Sequence, residues 1–300
     1  MKITQISKNH IRKIILKRHS KSNKSNYGSI LILAGSKSMT GAGVLCANAC
    51  IKSGAGLVTL GIPESQYNIV SLKTFPEIMV RTFKETSAGT LDTSALPAIL
   101  EFIKKRKITA LVIGPGLGIN NRTKSLVKTL LKTVSIPVVL DADGLNSIVG
   151  FYELLKKRTF NTIITPHPGE FSRLTGFSVK DILSNRFTTA VKFAKNNNVI
   201  CILKNNTTVV TDSVKICENT TGNPGMAVGG SGDVLTGMIA ALLFQVKGNT
   251  LKEKLLNTGI AGVYLHGLAG DLAAKEKTQI SMLPSDIIAN IHKAIRKTLQ

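Results

Sequence analysis

Short apolar runs rich in β-branched residues alternate with amphipathic segments of helical period along almost the whole chain. The apolar runs are 29–34, 57–61, 110–113, 137–141, 162–165 and 199–204, and the amphipathic segments include 41–53, 121–133 and 179–196. Strands that alternate with helices are typical of a mostly parallel sheet with helices on both faces. The sequence therefore predicts an α/β fold built around a mostly parallel central sheet.

One pair of runs departs from this alternation. The sequences TTVVT, at 207–211, and VKIC, at 214–217, are separated only by Asp212 and Ser213. This spacing predicts a hairpin, and hence an antiparallel element at one edge of the sheet. No repeat, low-complexity tract or linker interrupts the sequence, so we expect residues 1–300 to form a single domain.

Composition excludes several classes of protein. Apolar residues make up 43% of the chain and charged residues 19%, which indicates a globular rather than a disordered protein. No apolar run approaches the roughly 18–20 residues that cross a bilayer, so we expect no membrane span. The four cysteines lack CxxC spacing and are typical of buried thiols in a reducing compartment, which favours a cytoplasmic location.

The charge is strongly unbalanced. The formal net charge is +22, and eight lysines and arginines precede residue 25. A nucleic-acid-binding arm and an organelle transit peptide are both compatible with a basic, acid-poor N-terminus. However, the basic residues are dispersed through the chain without interleaved aromatics, which favours a surface charge that serves solubility and attracts anionic substrates. A nucleic-acid-binding protein therefore stays a remote alternative.

Glycine-rich or polar segments follow four of the predicted strands. They are AGSKSMTGAG at 34–43, GPGLG at 114–118, DADGLN at 141–146 and TPHPGE at 165–170. Ligands of parallel sheets bind beyond the carboxyl ends of the strands, so these segments predict one shared crevice. Two common motifs do not fit: Ala42 stands where a P-loop needs its lysine, and Ile119 replaces the third glycine of a dinucleotide fingerprint.

The segment GNPGMAVGGSGDVLTG, at 222–237, combines six glycines with a single acidic residue, Asp233, and leads into apolar helical sequence. Successive glycines let backbone N–H groups converge at a helix start and form an anion nest. A lone Gly-Asp pair usually only caps a helix. The additional glycines upstream favour a carboxylate that accepts a hydroxyl proton while the nest stabilises a transferring phosphoryl group.

This segment resembles the signature of ribokinase-like small-molecule kinases and, more closely, that of the NAD(P)H-hydrate dehydratase family, which is related to the C-terminal half of the YjeF proteins. Seven motifs occur in family order: AGSKSMTGAG, SGAGLVTLG, GPGLG, PVVLDADGLN, TPHPGEFSRLTG, NPGMAVGGSGDVLTG and HGLAGDLAA. The resemblance implies a ribokinase-like fold. Because the first predicted strand begins near residue 29, we expect the family's separate epimerase domain to be absent. Residues 3–28 resemble the family's own N-terminal lead-in, which argues against a transit peptide.

The resemblance implies a nucleotide-dependent repair reaction. Family members use ADP or ATP, with Mg²⁺, to dehydrate hydrated NADH or NADPH (the S epimer): the ring hydroxyl is phosphorylated, and phosphate is then eliminated. We expect ADP as the donor, a bacterial cytoplasm, and a homo-oligomer, possibly a tetramer. A vitamin-precursor kinase of the hydroxyethylthiazole or hydroxymethylpyrimidine type is the alternative within the same superfamily.

Residue roles follow from the same resemblance. Asp233 is the base on the ring hydroxyl and contacts the hydrated dinucleotide, whose other contacts match Ala42, Gly118 and His167. The anion hole matches Gly230, Ser231 and Gly232, and the nucleotide-binding positions are Lys204, Asn205, Asn206, Thr207, Thr208 and Gly232. The metal ligands are not identified.

Several polar residues have two possible roles. His167 is either a structural, hydrogen-bonded histidine or a ligand contact, and its place between two prolines at a strand's carboxyl end favours the contact. Asp141, Asp143 and Asn146 either support phosphate or magnesium or cap a helix. His266 and Asp271 are more typical of helix packing than of ligand binding.

Two expectations concern the backbone. Asn205 stands where the family usually has a glycine after the lysine, so we expect Asn205 to adopt a left-handed φ, which asparagine tolerates better than most residues. We also expect Gly232 to be required either for a positive φ or for close approach of a phosphate.

Overall fold

The computed structural model describes residues 2–158 and 161–300. The strands are β1 (Ile3–Gln5), β2 (Ser29–Leu33), β3 (Leu57–Pro63), β4 (Ile78–Phe83), β5 (Ala110–Ile113), β6 (Val138–Leu140), β7 (Thr162–Ile164), β8 (Ile200–Leu203), β9 (Thr208–Thr211) and β10 (Ile216–Asn219). The α-helices are α1 (Lys8–Ile14), α2 (Thr40–Lys52), α3 (Tyr67–Ser71), α4 (Leu96–Lys105), α5 (Asn121–Thr133), α6 (Ala142–Asn146), α7 (Glu153–Lys156), α8 (Pro168–Thr175), α9 (Val179–Ser184), α10 (Arg186–Asn197), α11 (Ser231–Leu242), α12 (Leu251–Ser281) and α13 (Pro284–Leu299).

Within the described residues, the strands form one sheet in the order β1-β10-β9-β8-β7-β6-β5-β2-β3-β4. The strands from β8 to β4 in this order run parallel to one another. Strand β9 is antiparallel to both of its neighbours, β8 and β10. The predicted mostly parallel sheet with an antiparallel pair is therefore confirmed. The pair does not form the edge of the sheet as predicted, because β1 pairs with β10 on its outer side.

Three local predictions need correction or addition. Strand β1 pairs with β10, so the first strand does not begin near residue 29; its three residues are all exposed and carry no apolar signal. Strand β4 is not among the strands that the sequence predicts. The segment 179–196 forms two helices rather than one, because Asn185 leaves the helical region with ψ of 31° and its amide bonds back to the Asp181 carbonyl.

The core lies in two layers, one on each face of the sheet. Alternate residues of β2 enter opposite layers: Ile30 and Ile32 pack with α2, α11 and α12, whereas Leu31 and Leu33 pack with α4 and α5. This alternation follows from the two-residue period of a strand and confirms helices on both faces. All four cysteines are buried, as expected. In the part of the chain that is described, no helix is long and apolar enough to cross a membrane.

The sheet changes winding direction between β2 and β5. The chain proceeds from β2 to β3 and β4 on one side, and from β5 to β6 and β7 on the other. Such a switch point opens a crevice at the carboxyl ends of the two central strands. The loops that follow β2 and β5 meet there, because a side chain on Gly116 would lie 2.9 Å from the Ala42 Cβ and 2.7 Å from the Met39 carbonyl oxygen.

Helix α11 packs unusually closely against α2. A Cβ placed on Gly237 would lie 2.0 Å from the Cys46 carbonyl oxygen and 3.1 Å from the Cys50 nitrogen. No real Cβ contact is that short, so glycine at this position permits the backbones to approach. Glycine at 237 is therefore a condition of the close packing of α11 on α2.

We expect Gly237→Ala to lower the free energy of unfolding by several kcal/mol, about 2–4, because the methyl group forces α11 and α2 apart. Gly41→Ala is the matched control: Gly41 is also helical, in α2, and a Cβ there meets nothing within 4 Å. Replacing this glycine should stabilise the protein by up to about 1 kcal/mol. Urea denaturation of both variants checks the pair, and equal effects would contradict the packing argument.

Candidate active site

The glycine-rich segment ends at the N-terminus of α11, where Gly230 is the N-cap residue with φ of 100°. No side chain caps this helix. Since the first-turn N–H groups of a helix have no intrahelical partner, those of Gly232 and Asp233 point beyond the helix end with the positive end of the dipole. The predicted nest therefore has the geometry of an anion site, and Asp233 lies in the first turn without capping the helix.

The two glycines of the nest have different reasons to be glycine. Gly230 adopts the left-handed φ, and a Cβ there would also meet Leu45 of α2 at 2.5 Å. Gly232 is an ordinary helical residue, so the expectation of a positive φ at Gly232 is wrong. A Cβ on Gly232 would instead lie 3.3 Å from the Lys204 Nζ. The Lys204 ammonium thus limits the room for a side chain at 232, and close approach of a phosphate stays a prediction.

A cavity of about 770 Å³ opens in front of this helix end. It lies between the loops that follow β7 and β8, the segment 219–228 and the middle of α12. Eight of the positions singled out from the sequence line it: His167, Lys204, Asn205, Asn206, Thr208, Ser231, Gly232 and His266. Asp233 is not among the lining residues. A volume of this size is typical of a small-molecule site. Thr207 is not among the lining residues, and its hydroxyl accepts a hydrogen bond from Arg186 instead.

The predicted left-handed conformation of Asn205 is wrong. Asn205 is not one of the described non-glycine residues with positive φ. The turn closes through Thr208, whose hydroxyl donates to the Asn205 carbonyl oxygen at 3.2 Å. Asparagine therefore replaces glycine here without backbone strain, because the turn has a conformation that any residue adopts.

Asp141 occupies the centre of the site but does not cap α6. Its carboxylate is buried, with 1% of the residue exposed. Oδ1 accepts hydrogen bonds from the Lys204 Nζ at 2.9 Å and the Thr165 hydroxyl at 2.7 Å, and Oδ2 accepts one from the Thr236 hydroxyl at 2.8 Å. Three protein donors thus hold the carboxylate, two on Oδ1 and one on Oδ2.

Asp143 connects this centre to the switch-point crevice. Its Oδ2 accepts from the Gly118 backbone N–H at 2.8 Å, and its Oδ1 accepts from the Asn146 amide at 3.2 Å. Asn146 in turn accepts from the Arg173 guanidinium at 2.9 Å. Gly118 therefore lies at the crevice between β2 and β5, as does Ala42, whereas His167 lines the cavity of about 770 Å³.

His167 has the structural role considered for it, and its contact with a ligand stays a prediction. Its Nδ1 accepts from the backbone N–H of Gly169 at 3.0 Å, and the Glu170 carboxylate accepts from the His167 N–H at 2.8 Å, which forms a capping box at the start of α8. Burial is the main cause that lowers the pKa of His167. The side chain is still 51% exposed and faces the cavity, so a neutral imidazole is presented there.

Asp233 has the perturbed acidity expected of a general base. Burial, followed by the negative charge of Asp141, raises the pKa of Asp233 to about 7, while the Lys204 ammonium opposes the shift. A catalytic base is most effective when its pKa lies near the working pH. The carboxylate is therefore poised to accept a proton at neutral pH.

Two residues of α12 are closer to the site than the sequence indicated. His266 is buried and lines the cavity, and its Nε2 lies 3.5 Å from the Ser231 hydroxyl. Burial lowers the pKa of His266 to about 4, which keeps the imidazole neutral. Asp271 accepts from the Gly222 N–H and the Asn223 amide, each at 3.1 Å, and so anchors the segment that precedes the nest.

Sequence reasoning missed several polar residues of the site. Thr165 and Thr236 hold Asp141, Glu170 lies 3.8 Å from the Lys204 Nζ, and Asn219 and Asn223 line the cavity. Thr236 falls inside the segment 222–237, at one helical turn from Asp233. Its helical spacing is the one signal that indicated a shared face; the others depend on the order of the strands.

Comparison with solved structures defines the class. A ribokinase-like superfamily protein from Enterococcus faecalis aligns with a TM-score of 0.81 at 28% identity, covering 99% of this chain and 97% of that chain. Bacillus subtilis ADP/ATP-dependent NAD(P)H-hydrate dehydratase, co-crystallised with ATP/Mg²⁺, aligns with a TM-score of 0.80 at 28% identity and covers 99% of both chains. A hydroxyethylthiazole kinase from Pyrococcus horikoshii shares the fold alone, at 15% identity and a TM-score of 0.57. The fold is ribokinase-like.

The chain belongs to the NAD(P)H-hydrate dehydratase family, whose model matches residues 30–293. The bifunctional NAD(P)H-hydrate repair enzyme Nnr of Moorella thermoacetica is 40% identical over 276 residues, which are 91% of this chain and 50% of that protein. The ADP-dependent (S)-NAD(P)H-hydrate dehydratase of B. subtilis is 34% identical over 288 residues, which are 95% of this chain and 96% of that protein. The chain spans about half the length of the bifunctional relatives.

The raised pKa of Asp233 predicts a pH-dependent gain in stability for Asp233→Asn. Because the folded pKa of about 7 exceeds the unfolded value, ionisation of Asp233 costs stability progressively as the pH rises from about 4 to 7. The variant should be more stable than the wild type by about 2–4 kcal/mol at pH 8, and the difference should vanish near pH 4. Denaturation curves between these pH values measure it.

Asp286 provides the matched control. It occupies the corresponding third position of α13, where its carboxylate accepts from the Leu283 N–H at 2.8 Å. Asp286→Asn should therefore lower stability slightly at neutral pH, the opposite sign. A gain for Asp233→Asn that does not change with pH would show that ionisation of this carboxylate is not its cause.

Proposed function

We propose that this protein dehydrates hydrated NADH or NADPH, the S epimer, back to the reduced dinucleotide, with ADP or ATP as phosphoryl donor. The observation that carries the proposal is one arrangement at the start of α11. A carboxylate of raised pKa, Asp233, lies in the first turn of α11 near the Lys204 ammonium, and its neighbours Ser231 and Gly232 line a cavity of about 770 Å³. Membership of the NAD(P)H-hydrate dehydratase family supports it.

The chemistry follows from the leaving group. Hydroxide leaves a carbon poorly, whereas phosphate leaves well, so the ring hydroxyl is first converted to a phosphate ester. Asp233 takes the hydroxyl proton, and the oxygen attacks the terminal phosphoryl group of the nucleotide, releasing AMP from ADP or ADP from ATP. The ester then loses inorganic phosphate and the ring loses a proton, which restores the reduced nicotinamide.

Two openings are available for the two substrates. The cavity lined by Lys204, Asn205, Asn206 and Thr208 is proposed to take the adenine nucleotide, with its phosphates at the nest. The switch-point crevice, with Ala42 and Gly118, is proposed to take the damaged dinucleotide, whose ring end reaches His167 at the cavity. The ring hydroxyl and the terminal phosphoryl group then meet beside Asp233, so that the hydroxyl oxygen can attack the phosphorus while the carboxylate takes its proton.

Magnesium is proposed to arrive as part of the nucleotide substrate. Among residues 2–158 and 161–300 there is no group of three or more His, Cys, Asp or Glu side chains that is arranged to hold a metal ion. Mg²⁺ commonly keeps several waters and binds through substrate phosphates with few protein ligands. The co-crystallisation of the B. subtilis relative with ATP/Mg²⁺ agrees with this form of the donor. Assembly into a homo-oligomer and a cytoplasmic location stay predictions. Light scattering measures the oligomeric state.

The purified protein, incubated with hydrated NADH, Mg²⁺ and ADP or ATP, should restore the absorbance of reduced nicotinamide. Omission of the nucleotide should abolish the recovery. No recovery with either nucleotide would contradict the proposal. A vitamin-precursor kinase would instead consume ATP with hydroxyethylthiazole or hydroxymethylpyrimidine as acceptor, and these compounds serve as the comparison substrates.

Asp233→Asn should lower kcat by at least about 10²-fold, because an amide cannot accept the hydroxyl proton. Dinucleotide affinity should change by less than about tenfold, since the side-chain volume is kept. In the wild type, kcat/KM should rise with pH through the pKa of Asp233, about 7, as the carboxylate ionises. Retention of more than about a tenth of kcat in the variant would show that the base is elsewhere.

A further inference from the structure

Asp141 is a buried carboxylate placed where a negative charge is unfavourable. It lies close enough to Asp233 to raise the pKa of that group, and it sits behind a nest that is suited to anions. A buried carboxylate costs free energy unless its partners compensate it, and it repels an incoming phosphate. Its position therefore needs an explanation other than direct ligand contact.

The partners of Asp141 come from three different elements of the fold. Thr165 follows β7, Lys204 follows β8 and Thr236 belongs to α11. The two threonine hydroxyls occupy one lone pair on each oxygen and so fix the plane of the carboxylate. The remaining direction on Oδ1 is taken by the Lys204 Nζ at 2.9 Å. A fixed carboxylate of this kind fixes the ammonium that it binds.

Lys204 is held between two carboxylates and the helix end. Its Nζ lies 2.9 Å from Asp141, 3.8 Å from Glu170 and 3.3 Å from the point where a Cβ on Gly232 would be. Only 19% of the side chain is exposed, and the exposed part faces the cavity. The ammonium and the first N–H groups of α11 thus border the same small volume.

We propose that Asp141 is a positioning residue that acts through Lys204: it holds the ammonium against the start of α11, so that the cation and the nest bind the terminal phosphoryl group of the nucleotide together. The proposal rests on the proposed function for the identity of the phosphoryl group, and it goes beyond that function in assigning a role to Asp141.

The alternative is that Asp141 only ties the sheet to α11. Nucleotide affinity separates the two roles. Besides burial, the charges of Asp141, Glu170 and Asp143 raise the pKa of Asp233 and that of Lys204 lowers it, so loss of the Asp141 charge changes this pKa under either role. A purely structural tether predicts a loss of stability with the affinity for Mg²⁺-ADP unchanged.

The experiment is a double-mutant cycle of Asp141→Asn and Lys204→Met. Affinity for Mg²⁺-ADP is measured by calorimetry, and kcat and the pH profile of kcat/KM are measured with hydrated NADH. Asp141→Asn alone should weaken Mg²⁺-ADP binding about tenfold and lower kcat about 30- to 100-fold, although it removes a negative charge from an anion site. The acidic limb of kcat/KM should move to lower pH.

The double variant should have the same affinity for Mg²⁺-ADP and the same kcat as Lys204→Met alone, each within about threefold. The reason is that Asp141 acts only through Lys204, which both variants lack. This comparison also applies if Asp141→Asn by itself fails to fold, since the double variant removes the unpaired ammonium too. Glu276→Gln is the matched control: Glu276 pairs with Lys293 at 2.5 Å on the surface of α12, and its loss should leave binding and kcat unchanged.

Two results would overturn the proposal. One is unchanged or tighter Mg²⁺-ADP binding in Asp141→Asn. The other is a double variant in which the losses of affinity and kcat of the two single variants multiply, because Asp141 would then act independently of Lys204. The calorimetric cycle needs no hydrated dinucleotide, so it tests this proposal separately from the proposed function. If Mg²⁺-ADP binding shows coupling between Asp141 and Lys204 but the wild type does not dehydrate hydrated NADH or NADPH, only the proposed function is contradicted.

Discussion

The contact between Gly237 of α11 and the Cys46 carbonyl of α2 determines where the site is built. A side chain at Gly237 has no room, so the two helix backbones pack directly against each other under the sheet. The chain must then reach the start of α11 in a tight turn, which Gly230 makes with a φ of 100°. The N-terminal N–H groups of α11 consequently lie beside the carboxyl ends of β6, β7 and β8, where the polar side chains are.

Charge balance around this helix end explains the chemistry that the site supports. Three carboxylates, of Asp141, Asp143 and Glu170, act on Asp233 in the same direction as burial, and one ammonium, of Lys204, acts against them. The result is a carboxylate that ionises near pH 7 rather than near its ordinary value. An incoming nucleotide phosphate would add further negative charge, which the nest and Lys204 are placed to offset.

Local sequence patterns predict some features of the fold and the site, whereas others depend on the order of the strands. The alternation of strands and helices and the glycine cluster before an apolar helix are local patterns, so the parallel sheet and the nest at Asp233 were predictable. The pairing of Asp141 with Lys204 was not, because the two residues are 63 positions apart and meet only through the order β6-β7-β8. Strand β1 is short and exposed, and it has no apolar pattern from which a strand could be predicted. The conformation of Asn205 was inferred from a family glycine, and the turn does not need one.

The proposed reaction depends on conversion of the ring hydroxyl to a phosphate ester before it leaves. The most direct measurement follows the hydroxyl oxygen: hydrated NADH is prepared with ¹⁸O in the ring hydroxyl and turned over with Mg²⁺-ADP in ordinary water. The proposed reaction predicts one ¹⁸O atom in each inorganic phosphate released. Phosphate without the label, with the ¹⁸O found in water, would contradict it and would show that the hydroxyl leaves without being phosphorylated.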